Sequence, residues 1–362
     1  MKKCFLIALL IFSYSMGNAQ SDTVWYKVFT GKLGNMDATL HLCRNSNSFS
    51  GYIWFTQLQW PMPVYGATHL EHTDSIQISA GNTPMTLTIT GKLSNKEFAG
   101  HGELQKDNLP MKGAHFLLKE NTGKGLSSFQ YYYVAGNGKL PPKLKNESEC
   151  SFSSATVWPI ENNSFTATLK KHLSLLLQSK VPVNNPVAVM NSQKNKFISA
   201  WQKENSILTP KDAADLGFSL SASQDQNIMV MYENEKNITL ASYVSEYSGG
   251  AHNNYATELI NFDKLSGKKL SLKDVFTPQG IRSLPLLLDQ VARLQFGIKN
   301  RKPLDENDFF VKQINATENF YITSAGIGFL YPPYALKSFA EGEINLLVPK
   351  AALNKYLLPA YR

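Results

Sequence analysis

Cysteine is nearly absent from this sequence. Three occur in 362 residues, Cys4, Cys43 and Cys150, and no two are spaced Cys-x-x-Cys. That excludes a thioredoxin-like redox pair and a zinc ribbon. Long apolar runs are missing beyond the N-terminus. The strongest one, Leu284 to Leu294, is broken by Asp289, Gln290 and Arg293, so no integral membrane segment is expected there. Blocks of basic residues are missing too, since Lys170-Lys171 and Lys268-Lys269 are only pairs. Nucleic acid is therefore not an expected partner. The Gly-x-Ser-x-Gly elbow, the P-loop, the dinucleotide glycine fingerprint and His-Glu-x-x-His are all absent. No catalytic residue, metal ligand or cofactor is assigned on sequence grounds.

The first 19 residues read as a signal peptide. Lys2 and Lys3 form a basic start, Cys4 to Met16 is an apolar run too short to span a bilayer, and Gly17, Asn18 and Ala19 are small or polar. Cleavage is expected before Gln20. Cys4 opens the apolar run rather than marking the cut, which makes it a poor lipidation site. The expected location is the periplasm or the extracellular space. The formal charge of the whole chain is +8. Losing Lys2 and Lys3 leaves 34 basic against 28 acidic side chains, a formal +6. Export permits a disulfide between Cys43 and Cys150. Their positions in different expected domains fit two separate buried thiols as well.

Residues 20–122 read as all-β. Met85, Leu87 and Ile89 alternate with three threonines, Ala38, Leu40 and Leu42 alternate with Thr39 and His41, and Ile76 and Ile78 repeat the pattern. Phe49 to Phe55 is aromatic-rich, with Gly51 at a bulge or a close approach. Short strands at this spacing argue for a meander, barrel or small sandwich. Residues 123–149 are rich in glycine, proline and charge and read as a linker, with Tyr131 to Tyr133 as an edge strand or packed anchor. A second unit, residues 150–244, mixes strands with helices. Ser164 is the expected N-cap of a helix whose stripe is Phe165, Leu169, Leu173, Leu176 and Leu177. Val187 to Asn205 reads as a further helix, and Phe218 to Leu220 as a strand. Residues 245–362 form the last unit, with a helix carrying Leu284, Leu287, Leu288, Val291 and Leu294. The expected class is α+β: a barrel-like N-terminal domain, then helices packed on an antiparallel sheet.

Tyr243 to Phe276 is the most informative stretch. Tyr243, Val244 and Tyr247 are β-formers, and Gly249-Gly250 supplies the positive-φ positions of a tight hairpin turn. Tyr247 to His252, Asn261 to Asp263, Ser266 to Lys268 and Leu270 to Phe276 together carry a resemblance. They resemble the extracytoplasmic domain of unknown function shared by RsiV-type anti-sigma factors and PdaC-type peptidoglycan deacetylases. The similarity continues through Phe320 to Gly326, Tyr331 to Tyr334, Ala340 to Gly342 and Ile344 to Pro349. Residues 150–244 are similar to the companion domain that usually lies upstream. The resemblance implies an α+β fold outside the cytoplasm and, from the RsiV-type members, binding of lysozyme. The separate esterase domain of the PdaC type has no counterpart in this sequence.

His252 is the tempting catalytic residue, beside Glu246 and Tyr247 with Asp263 on the neighbouring segment. A histidine in such a turn more commonly caps carbonyls or packs over the hairpin. His69, Glu71 and His72 invite a metal reading, yet on a strand His72 points away from the other two. Trp60, in a proline-flanked loop, suits a sugar-stacking surface. Binding positions are therefore expected at Tyr247, Gly249, Gly250, His252 and Trp60. Three functions remain open. The first is a non-catalytic envelope protein that captures a cell-wall glycan or a lysozyme-like protein, and the positive charge suits an anionic glycan better than a basic enzyme. The second is an envelope glycan hydrolase or esterase with His252 in its site. The third is a structural envelope protein whose β-domain mediates assembly. N-terminal sequencing of protein recovered outside the cytoplasm should begin at Gln20; an intact Met1 in that fraction would remove the signal-peptide assignment.

Overall fold

The computed structural model describes residues 24–362 apart from 57–59, 69–74, 83–84, 95, 107–108, 111–112, 124 and 300. The expected signal peptide and the His69, Glu71 and His72 set lie outside the described residues.

The alternating N-terminal runs form strands β1 (Val24–Leu33), β2 (Met36–Asn45), β3 (Ser48–Phe55), β4 (Met62–Thr68), β5 (Ser75–Asn82), β6 (Met85–Leu93), β7 (Glu97–Lys106), the stub β8 (Leu109–Pro110) and β9 (Ala114–Glu120). Neighbours pair antiparallel from β1 through β7, and β9 pairs with both β7 and β1. The eight long strands thus close into a barrel, the ring completed by β6 with β7 and β9 with β1. Its interior is filled by Phe29, Leu40, Leu42, Ile53, Phe55, Met62, Val64 and Phe98, all essentially inaccessible to solvent. Gly51 is a close-approach position, because any side chain there would collide with the His41 carbonyl.

A second sheet follows: β10 (Phe129–Lys139), β11 (Glu149–Pro159), β12 (Ala222–Glu233), β13 (Asn237–Tyr247), β14 (Asn254–Asp263) and β15 (Lys269–Leu270), in that spatial order. Residues 123–149, read from composition as a linker, thus carry an 11-residue edge strand. All pairs are antiparallel except β11 with β12. The crossover between those two holds α1 (Ser164–Leu176), α2 (Val187–Asn205) and α3 (Pro210–Leu216). The α1 cap is Asn163, one residue earlier than expected: its side chain accepts from Thr166 N, and Thr166 Oγ1 accepts from Asn163 N, both at 2.9 Å. Phe165, Leu169, Leu173 and Leu177 are buried as the stripe predicts. Phe218 to Leu220, expected as a strand, is a 3-10 turn, in which Phe218 is 80% exposed. Without a neighbouring strand, its apolar residues have no sheet face to bury.

One face of the second sheet carries α1 and α2. The other is shared. The barrel covers β10 to β12, and a three-stranded sheet, β16 (Phe320–Ile322), β17 (Gly326–Tyr331) and β18 (Ile344–Pro349), lies against β13 and β14. The last sheet packs with α4 (Leu272–Val275), α5 (Pro278–Gln295) and α6 (Lys350–Leu353) around Leu284, Leu288, Phe320 and Phe329. Thr277 caps α5, accepting from Gly280 N. Leu294 is 85% exposed, and Ala292 takes the buried position instead. At 100° per residue Leu294 falls off the stripe centred on Leu284 and Leu288.

The seam beneath the barrel is unusual for a small barrel, because outward-facing residues are buried there. His41 and Cys43 of β2 and Tyr52 of β3 lie under the second sheet. Cys43 and Cys150 are both free and buried, in different clusters. Tyr26 Oη and His41 Nδ1 share a hydrogen bond of 2.7 Å.

The loop between β13 and β14 spans six residues, 248–253, rather than the two of a tight turn. Gly249 has φ +87° and Gly250 φ +106°. A Cβ on Gly249 would also stand 2.7 Å from the Ser219 carbonyl oxygen.

Two outcomes are expected. Gly249→Ala should lower stability by about 1–3 kcal/mol, more than Gly250→Ala, which meets no neighbouring atom; equal losses in urea denaturation would reject the contact with Ser219. Burial pushes the pKa of His41 down to about 3. An unfolded histidine protonates near 6.5, so the unfolded chain binds the extra proton between those values. Stability should therefore fall as pH drops below about 6.5, by about 1.4 kcal/mol per unit from this group. Urea midpoints of His41→Gln should show a shallower acid slope than the parent protein.

Candidate functional site

The expected site residues of the β13–β14 loop are brought together, and the loop has a neighbour that sequence spacing did not indicate. Tyr247 Oη donates to the Gly250 carbonyl at 3.1 Å and ties the loop shut. The exposed His252 lies flat on Phe339, with ring centroids 3.8 Å apart and planes 17° from parallel. Its Nδ1 is 2.9 Å from the Asn253 carbonyl, and its Nε2 is 3.4 Å from Tyr334 Oη. Tyr334 is 55% exposed and has φ +66°, a left-handed backbone for a bulky side chain. Strain of this kind costs about 1–3 kcal/mol and gathers at binding sites.

The rings continue along the sheet. Tyr255 meets Phe339 edge-on at 5.7 Å, and Tyr243 lies 6.1 Å from Tyr255. Ser245 stands opposite Tyr255 in the register, and Tyr243 opposite Thr257, so these side chains share one face. Thr257 anchors Glu343 twice: the backbone N–H donates to Oε1 at 2.5 Å and the hydroxyl to Oε2 at 2.9 Å. Burial pushes the Glu343 carboxyl above the usual range, and the two Thr257 bonds partly offset this. Gly342, with φ +66°, brings Glu343 into place past the Tyr255 hydroxyl.

Trp60 is not part of this cluster. It is half-buried and packs where the barrel core meets the seam. Among the described residues no ring contact or hydrogen bond joins it to the loop. The described partners of His252 are a carbonyl, a hydroxyl and two aromatic rings, with no carboxylate to orient it and no nucleophile beside it. Among the described residues no group of three or more His, Cys, Asp and Glu side chains is placed to hold a metal. The arrangement is suited to stacking and hydrogen bonding.

Sequence reasoning missed Tyr334, Phe339, Tyr255, Tyr243 and Glu343. The one signal was indirect: Pro332-Pro333 before Tyr334, and Gly342 after Phe339, are breaker residues of the kind that position exposed side chains.

Comparison with known proteins fits this architecture. Among curated proteins none matches. The chain is similar to the solved structure of a DUF3298 family member from Bacteroides fragilis NCTC 9343, with a TM-score of 0.55 and 19% identity over 64% of this chain and 94% of that one. It is also similar to a DUF3298 family protein from Pseudomonas aeruginosa PAO1, with a TM-score of 0.45 and 15% identity over 64% of this chain and 95% of that one. At 19% identity the Bacteroides likeness speaks for a shared α+β fold. Residues 273–351, which include Tyr334, Phe339 and Glu343, match the family model described as "Protein of unknown function (DUF3298)", so the chain carries that domain.

Proposed function

We propose that this is an exported, non-catalytic binding protein of the cell envelope, and that the ring cluster at the β13–β14 loop holds a cell-wall glycan. The carrying observation is the Phe339–His252 stack, flanked by a half-exposed Tyr334 in a strained conformation. Flat aromatic faces pack on the apolar faces of sugar rings, and such pairs contribute most where the rings are already held in place. Here Phe339 and the loop bond from Tyr247 hold the His252 ring before any ligand arrives.

Binding is favoured over hydrolysis by the partners of His252, which supply neither an acid–base pair nor a nucleophile. A formal charge of +6 once Lys2 and Lys3 are removed draws anionic wall polymer and repels a basic lysozyme-like enzyme. The resemblance to the RsiV-type and PdaC-type domain supports the envelope location.

Purified protein lacking residues 1–19 should be retained on peptidoglycan and not on immobilised lysozyme. The double variant Tyr334→Ala, Phe339→Ala should lose about tenfold in retention, the worth of one to two aromatic contacts. Retention on lysozyme alone would replace the ligand class. Turnover of peptidoglycan that disappears in His252→Ala would overturn the non-catalytic assignment.

A further inference from the structure

The ring cluster does not end at the sheet. Barrel strand β4 turns Tyr65 outward, 50% exposed, directly opposite Ser50 of β3. Ser50 Oγ accepts from Asn227 Nδ2 at 3.0 Å, and Asn227 stands opposite Tyr243 in the β12–β13 register. Opposed residues on antiparallel strands bring their Cβ atoms within roughly 5 Å. Tyr65 and Tyr243 therefore flank a single Ser50–Asn227 bridge, one ring on each side of the seam. The sheet face between barrel and C-terminal unit has Tyr243 and Tyr255 as its floor, Tyr65 as one wall, and Phe339 with Glu343 as the other.

We propose that the glycan site extends across this seam, with Tyr65 as a stacking ring supplied by the barrel and Glu343 as the residue that selects neutral, hydroxyl-rich sugar units over anionic ones. This rests on the glycan reading above and adds to it a role for the barrel and a preference at one subsite. The selection follows from the surroundings of the carboxylate. Each carboxylate oxygen has about two lone-pair sites. Thr257 occupies one site on each oxygen, through a neutral N–H and a neutral hydroxyl. Among the described residues no lysine or arginine is paired with Glu343. Thr257, which holds Glu343, stands opposite Tyr243 on the sheet face that Tyr255 shares. Burial pushes the phenols of Tyr65 (to about 12), Tyr243 and Tyr255 upward, and the charge of Glu343 adds to each. A ligand hydroxyl donates to such a carboxylate, whereas a ligand carboxylate is repelled by it. The net positive charge draws the wall polymer in, and this subsite reads its neutral units.

Calorimetric titration of the protein lacking residues 1–19 distinguishes the levels. The probes are chitohexaose, which is neutral, and oligogalacturonate, which is anionic. The unmodified protein should bind chitohexaose at least about tenfold more tightly. Tyr65→Ala should weaken chitohexaose about tenfold and Tyr65→Phe should not, which separates stacking from hydroxyl loss. Glu343→Gln should narrow the preference between the probes, a change that a merely structural role would not produce, with matching urea midpoints as the folding control. If chitohexaose binds but Tyr65→Ala and Glu343→Gln leave affinity and preference unchanged, the extension across the seam is wrong and the site at His252 stands. If neither chitohexaose nor peptidoglycan binds, both levels fail together.

Discussion

Burial of one outer wall of the barrel is the constraint from which the rest of the molecule follows. A closed barrel already satisfies its backbone, so its outside is free to be polar. Here the outward residues of β1 to β3 are instead packed under the second sheet, and their polar atoms need internal partners. Tyr26 meets His41, and Ser50 meets Asn227, whose Oδ1 in turn accepts from Tyr131 Oη at 3.0 Å. Trp54 has no partner for its indole N–H among the described residues and lies edge-on to Tyr232 at 5.3 Å. Tyr232 Oη accepts from Ser324 N at 3.3 Å, so barrel, sheet and C-terminal unit meet at one phenol. Directional bonds at the seam fix the angle of the barrel on the sheet.

A second fixed point lies at Glu233, the residue after Tyr232. The Glu233 side chain is wholly buried, and its Oε1 accepts from Ser127 N at 2.9 Å, Ser127 Oγ at 2.6 Å and Lys264 Nζ at 2.6 Å. Lys264 also donates to the carbonyls of Gly125 and Asn234. The connector out of the barrel is thereby tied to β12 and to the turn after β14. Removing one partner of such a pair costs about 3–5 kcal/mol, because the other charge is left buried. A stretch with linker composition is in this way held rigidly.

The legible parts of the sequence were those governed by one periodicity at a time. Leu87 and Ile89, or Leu169 and Leu173, each face a single core, and alternation or helical spacing reveals them. Strand β2 was read on one face only, because it faces two cores: Leu40 and Leu42 point into the barrel while His41 and Cys43 point into the seam, and an alternating pattern discloses only the first. The β13–β14 loop was visible through turn chemistry, which requires glycine at Gly249 and Gly250 whatever lies nearby. Its partners were not, since Tyr334 and Phe339 come from a chain segment some 80 residues downstream. Trp60 was picked for its proline-flanked setting, whereas the fold uses it as packing at the barrel rim.

The single parallel pair, β11 with β12, has a consequence for the order of assembly. Its strands are separated by the whole α1–α3 crossover, residues 160–221, so the pair forms only after a long loop closes. The barrel needs nothing beyond residue 120 to complete its ring of hydrogen bonds. A chain made N-terminus first can therefore finish its barrel while Tyr26, Cys43, Tyr52 and Trp54 still lack their covering strand. For that interval the nascent protein carries a sticky aromatic wall, a defined surface that self-association or a holding chaperone would grip.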